Sequence, residues 1–369
     1  MVENHRPGIC YILPMYDPAT GSHFFNLYQL LERARENLDI FLVIEKAKLL
    51  PGNAPFRFYC QRFSFPPLRF GELLFILMRE RMRGRRYFYT HYSFYGALAS
   101  WFVTAFFGGV SYYWNCGAPW LYRRSFFEET VFRFAMRHNI LVTGTAGIAS
   151  EYGRRYRLDR KRIIILPNWI KILRFDNGHD RGSAKKRFGV DSNRKIVLFV
   201  HRLSRRKGAH VIVPVVKSVT GQSKNVIFVI VGDGPELERL RLEVKNQGLG
   251  RFVRLIGSVP NAEIENYFAA ADVFFMPSEE EGFPHVLLEA MAAGVPYVAS
   301  NVGGVGEITP PILQKYIVRS GDINGFAAKI VELLTEPTSD MRRTSEEEKG
   351  WVKKYDLNKV LPKFIALFS

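Results

Sequence analysis

Short apolar runs alternate with amphipathic stretches along the whole chain, a pattern that predicts α/β layers built on parallel sheets. In the first half, GICYILP, DIFLVI, FRFYC, YFYT, VSYYW, ILVTG and RIIILPN read as strands. HFFNLYQLLERARE, RFGELLFILMRERMR, YGALASWFVTAF and SFFEETVFRFAMRH read as helices. The polar segment DNGHDRGSAKKRFGVDSNR reads as a linker, and a second series follows with strands KIVLFV, VIFVIVG, VRLIG, DVFFMP, PYVAS and KYIV. The expectation is a doubly wound domain over residues 1–175, a second over 190–340 and a helical segment over 341–369. Two such domains facing one another leave a cleft at the C-terminal ends of their strands, where ligands bind in sheets of this kind.

Composition agrees with two globular domains: 369 residues, 47% hydrophobic and 24% charged, are neither a disordered nor a fibrous composition. Cys10, Cys60 and Cys116 lack metal-ligand spacing, and their odd number argues against a disulfide framework. The start, MVENHRPGICYILPMYDP, has no basic segment followed by a long apolar run, so no signal peptide and a cytoplasmic setting are expected. The net charge of +17 is uneven: residues 1–170 carry 23 Lys+Arg against 12 Asp+Glu, a net of +11, and the remainder carries 29 against 23. Such an excess points to a polyanionic neighbour, whether nucleic acid, an acidic membrane surface or a phosphorylated substrate.

Residues 87–122 contain no Asp, Glu, Lys or Arg. The length permits a membrane span, but Gly108-Gly109 splits the stretch, and His91, Asn115, Pro119 and several Ser and Tyr interrupt it. A buried strand, a buried helix and a second buried strand are expected instead.

Four loops at strand ends in the second half carry chemistry. FVHRLSRRKGAHVIV offers Arg202, a planar fork for phosphate oxygens, and Lys207, a mobile point charge. Taken alone, that spacing reads as a solvated basic turn. VIVGDGPELERL closes a tight turn with Gly232 and Gly234, but its G-x-G-x-x-G pattern is incomplete. In SEEEGFPHVLLEAMAAGVPYVAS, a strand ends at Pro277, Pro284 suits a first helical turn, and Gly294 with Pro296 ends the helix. Glu281 then lies in a loop over the helix N-terminus and Glu289 on the helix, with unpaired amides between them that suit an anion. SNVGGVGEI places Gly303 and Gly304 after the next strand, where a simple need for positive φ is the alternative.

The order R-x4-KG, GDGPE, E-x7-E and GGxxE, each after a strand, resembles the C-terminal domain of GT-B fold, family 4 (group 1) glycosyltransferases. The likeness is strong over about 190–335 and extends more weakly through PNWI at 167–170 and the alternating first half. It implies two facing Rossmann-like domains and transfer of a sugar from a nucleotide diphosphate sugar, with retention of configuration. Arg202 and Lys207 match the donor diphosphate clamp, Glu289 the acid that holds the ribose, and Glu281 the acid beside the transferred sugar. Phe283, His285 and Val286 match residues whose amides line the sugar and phosphate pocket. Pro284 departs from the glycine many relatives carry there and cannot donate. Gly21 and Ser22 match a small-residue loop that approaches the donor phosphates. His91 matches a histidine near the reacting sugar, with a hydrogen-bonded core histidine as the alternative. The chain has no D-x-D pair, so neither a metal nor another cofactor is expected.

The first domain is expected to receive a glycan or lipid-linked acceptor, in cell-envelope glycan or glycolipid synthesis. RFGELLFILMRERMRGRR combines apolar residues with Arg79, Arg81, Arg83, Arg85 and Arg86. It reads either as a core-facing helix with cations at its C-terminal end, or as a docking element for the inner face of an anionic membrane. Two other functions remain open to such a chain: a sugar-nucleotide epimerase of the same fold, and a basic nucleic-acid-binding protein. No helix-turn-helix, zinc knuckle or RNP pattern accompanies the charge, so a nucleic-acid partner is not expected.

Overall fold

The computed structural model describes residues 6–17, 24–47, 56–175 and 181–369. It divides into two compact units, one built from the chain up to Pro167 together with Asn358–Ser369, the other from Asn168–Leu357.

The first unit runs β1 (Gly8–Leu13), α1 (Phe24–Ala34), β2 (Asp39–Ile44), β3 (Arg57–Cys60), α2 (Pro66–Met82), β4 (Tyr87–His91) and α3 (Phe94–Phe107). It continues through β5 (Val110–Trp114), α4 (Phe126–His138), β6 (Ile140–Thr143), α5 (Ala146–Tyr156) and β7 (Ile163–Ile165). Its strands pair in parallel in the order β3-β2-β1-β4-β5-β6-β7. Strands such as GICYIL and DIFLVI are almost wholly buried, because a parallel sheet covered on both faces leaves no side for polar alternation. α4 begins with a reciprocal cap, in which Ser125 and Glu128 satisfy one another's backbone amides.

The second unit runs α6 (Arg181–Arg187), β8 (Lys195–Val200), α7 (Ala209–Gln222), β9 (Val226–Val231), α8 (Leu237–Asn246), β10 (Val253–Gly257) and α9 (Ile264–Ala270). β11 (Val273–Met276), α10 (His285–Ala293), β12 (Tyr297–Ser300), α11 (Val305–Ile308), β13 (Ile317–Val318), α12 (Ile323–Thr335) and α13 (Thr338–Val352) complete it. Its strands are also parallel, in the order β10-β9-β8-β11-β12-β13. A last helix, α14 (Leu357–Ile365), carries the chain into the first unit, where Phe364 meets Tyr89 edge-on at 5.4 Å and Phe368 meets Tyr112 at 5.7 Å.

Three local readings change. The segment expected to be a linker contains α6, which a buried Lys185–Asp272 ion pair of 2.7 Å ties to the unit. Pro284 stands one position before α10 rather than in its first turn. The uncharged helix α3 lies between two buried strands as expected, but it is not itself buried, since Tyr95, Phe106 and Phe107 are exposed.

Glu348 on α13 is fully buried, and neither carboxylate oxygen has a hydrogen-bond partner among the described residues. Burial holds its pKa well above the ordinary 4.5. Below that value both folded and unfolded chains keep the proton; as pH rises, the unfolded chain ionises first and the fold loses stability. Glu348→Gln is therefore expected to raise the melting temperature at mildly alkaline pH, by the equivalent of about 1–3 kcal/mol, and to change little in acid. Melting curves across pH check this.

Candidate active site

In the second unit the strand order reverses between β8 and β11, and the loops leaving these two neighbours hold the polar residues. In an open parallel sheet, ligands bind outside the C-terminal ends of the strands at such a reversal. The β8 loop carries Arg202 and Lys207; the β11 loop carries Glu281 and leads into α10 with Glu289.

The loops are locked to one another by their backbones. Leu203 N–H donates to Asp233 O at 2.9 Å, Glu279 N–H to Arg206 O at 2.9 Å, and Gly304 N–H to Gly282 O at 3.0 Å. Two glycines make this possible. A Cβ on Gly232 would stand 1.9 Å from His201 O, and one on Gly303 would stand 1.6 Å from Glu281 O. The glycines of the second and fourth loops thus serve close backbone approach, beyond the positive φ they also adopt.

Glu281 is buried, and its Oε1 receives three donors: Lys207 Nζ at 2.7 Å, Ser278 Oγ at 2.7 Å and His201 Nε2 at 3.1 Å. Arg202 N–H donates to His201 Nδ1 at 2.9 Å, so the proton of the neutral ring sits on Nε2 and points at Glu281. Burial and the nearby Lys207 cation hold the His201 pKa below its ordinary value, which keeps the ring neutral. Burial works against ionisation of Glu281, yet the Lys207 charge and the His201 hydrogen bond outweigh it and hold the carboxyl well below the usual range. Lys207 also donates to Glu280 O at 3.3 Å. Arg202 is exposed, and no ion pair or hydrogen bond engages its guanidinium among the described residues. The site therefore offers one cation fixed by a buried carboxylate and one reaching freely.

Glu289 is buried on α10. Burial pushes its pKa up to about 7, with Glu265 adding to the shift and Arg174 opposing it. Arg174 is committed to Glu265 at 2.7 Å and to Asn261 O at 2.7 Å, within the segment GSVPNAEI. Pro284, at the N-cap of α10, supplies no side-chain cap to the helix amides.

Phe283 is buried, packs edge-on against Tyr355 at 5.4 Å, and accepts a 2.9 Å hydrogen bond from Asn168 Nδ2 on its carbonyl. His285 is half-buried with its ring edge-on to Trp169 at 6.4 Å, and Val286 is buried. Asn168 and Trp169 thus brace the loop before α10, a role that sequence reading missed although PNWI stood out. His201 and Ser278 were missed as well. The one signal for His201 was its place beside Arg202.

His91 ends β4 in the first unit and is buried: its ring stacks on Trp114 at 4.0 Å and its Nδ1 shares a 3.0 Å hydrogen bond with the Tyr11 hydroxyl. Gly21 and Ser22 lie outside the described residues.

Two units with parallel, doubly wound sheets, one carrying charged side chains in the loops at its strand reversal, are the architecture of the GT-B fold. Residues 180–351 match the sequence model described as glycosyl transferases group 1. It is 30% identical over 178 residues to the 2-deoxystreptamine N-acetyl-D-glucosaminyltransferase of Niallia circulans, covering 48% of this chain and 45% of the relative. The chain thus spans about half the length of the curated relatives it matches. A glycosyltransferase from Rickettsia africae superposes with a TM-score of 0.83 at 15% identity, covering 98% of both chains. HepE of Anabaena, in complex with UDP and glucose, superposes with a TM-score of 0.81 at 16% identity, covering 98% of this chain and 99% of that one. At such identities the likeness is one of fold.

Proposed function

We propose that the protein transfers a sugar from a nucleotide diphosphate sugar to a glycan or lipid-linked acceptor. Anomeric configuration is retained, no metal or other cofactor takes part, and the reaction belongs to cell-envelope glycan or glycolipid synthesis at the cytoplasmic face of a membrane. The observation that carries this reading is the buried Lys207–Glu281 pair of 2.7 Å beside Arg202 in the loops at the strand reversal, with Glu289 on the helix that follows. A donor presents ribose, diphosphate and hexose in a line. Glu289 takes the ribose hydroxyls, while Arg202, Lys207 and the α10 terminus meet the diphosphate. Negative charge grows on that diphosphate as the glycosidic bond breaks, so cations placed there favour the transition state over the ground state. The acceptor hydroxyl attacks on the face the diphosphate leaves and passes its proton to the departing phosphate oxygen. With Oε1 of Glu281 occupied by three donors, that residue fixes Lys207 and offers its second oxygen to a sugar hydroxyl.

A panel of nucleotide diphosphate sugars, UDP-sugars first because HepE of Anabaena is complexed with UDP, tests the reading by thermal shift. One donor is expected to raise the melting temperature, and Glu289→Ala to remove most of that rise. No shift with any donor counts against the proposal. Because Glu289 holds a proton up to about pH 7, donor affinity is expected to fall about tenfold per pH unit below that value. Glu289→Gln should flatten the dependence in isothermal titrations.

A further inference from the structure

Among the described residues fifteen large hydrophobic side chains are exposed, and all but Leu173 and Leu242 lie between Phe63 and Phe127. They lie on three neighbouring helices and the segments that lead into α2 and α4: α2 packs on α3, and α3 on α4. α2 is apolar on both sides. Leu73, Ile76 and Leu77 are buried, while Leu68, Phe75, Met78 and Met82 form an exposed stripe on the opposite face. A helix that only covers a core would turn a polar face outward. α3 contains no charged residue. In the segment before α4 and its first turn, Leu121, Tyr122, Phe126 and Phe127 stand exposed, with Phe126 at 89% and Phe127 at 70% of full accessibility.

The charges around these residues are predominantly positive. Arg62, Arg86 and Arg123 are exposed and make no ion pair among the described residues. The acids nearby are already engaged: Glu72 by the Tyr59 hydroxyl and the Arg62 amide, Glu80 by Arg79, Arg83 and Arg85. Glu128 is held by Ser125, and Glu129 by Arg124 and Arg133. Aromatic and aliphatic tips interspersed with free arginines suit the boundary between lipid headgroups and acyl chains. A second copy of the chain is a poorer occupant, because a symmetric contact would set arginine against arginine on a protein of net charge +17.

We propose that the outer face of α2–α3 and the knuckle 121–127 form a docking surface for an anionic lipid bilayer, into which Phe126 and Phe127 insert. No helix of the described residues is long and apolar enough to cross a membrane, so the contact is one of surface insertion. The inference stands apart from the sugar-transfer proposal, because vesicle binding is measured without donor or acceptor.

The test is co-sedimentation with phosphatidylcholine vesicles, with and without phosphatidylglycerol, at low and high salt. The protein is expected to bind the anionic vesicles, to release as salt rises, and to lose about tenfold or more in partitioning as Phe126→Ser/Phe127→Ser. Both phenylalanines are solvent-exposed, so circular dichroism and melting temperature should match the parent. Three results would each overturn the proposal: no binding to anionic vesicles at low salt, binding the double variant leaves unchanged, or a parent that sediments as a dimer which the double variant dissociates.

Discussion

Lys207→Ala is expected to lower turnover about 10²–10³-fold, with a smaller change in donor affinity, because it removes charge from the place where the leaving diphosphate gains it. The substitution has a second consequence. Lys207 Nζ lies 2.7 Å from Glu281 Oε1, and both groups are buried. Without the lysine, Glu281 keeps only Ser278 and the neutral His201, and breaking a buried pair of this kind costs about 3–5 kcal/mol of stability. Loss of activity through loss of fold must therefore be separated from loss of the cation. Lys207→Ala combined with Glu281→Gln removes the uncompensated carboxylate, so stability should largely return while turnover stays low. Steady-state kinetics beside melting curves decide the matter. If turnover recovers along with stability, Lys207 serves only to neutralise Glu281.

Gly303→Ala is expected to be the most damaging single methyl in the second unit. Its Cβ would lie 1.6 Å from Glu281 O, and the residue sits at φ +54. The obstacle is backbone, which cannot rotate aside, so the β12 loop must withdraw from the β11 loop and give up the Gly304 N–H to Gly282 O bond of 3.0 Å. The expected loss is about 2–4 kcal/mol of stability. Donor binding should weaken as well, since the loop that moves braces the β11 loop that carries Glu281. Alanine at Gly250, where nothing lies within 4 Å of the added carbon and φ is not positive, provides the control. Denaturant titrations and donor-induced thermal shifts should separate the two variants clearly. Equal behaviour would mean that the interlocked loops do not depend on that contact.

The strands were legible from the sequence for a plain reason. A parallel sheet covered on both faces needs unbroken apolar runs, and VIFVIV or KIVLFV can be little else in a chain with this alternation. Helices without an apolar stripe were harder. RGSAKKR shows only charge, and what secures it is the Lys185–Asp272 pair, between residues far apart in the chain. AGIASEYGRRY, with two glycines, also escaped notice, although Thr145 caps its amides and Tyr152 and Tyr156 bury their rings.

At the site, motif order led to the four loops and to Arg202, Lys207, Glu281 and Glu289 at their ends. Pairing was the part left unread. Nothing local to Lys207 says that its partner stands at Glu281, or that His201 donates to the same oxygen. The open face of α3 misled for a related reason: an uncharged run looks the same whether a core or a bilayer is to receive it. Only exposure in the folded chain distinguishes these cases.

The central claim is that the donor binds at the strand reversal of the second unit. A crystal structure of the protein with its nucleotide diphosphate sugar tests it most directly. The account predicts diphosphate oxygens within hydrogen-bond reach of Arg202, Lys207 and the first amides of α10, with the ribose hydroxyls on Glu289. A donor bound elsewhere, with those side chains untouched, would contradict it.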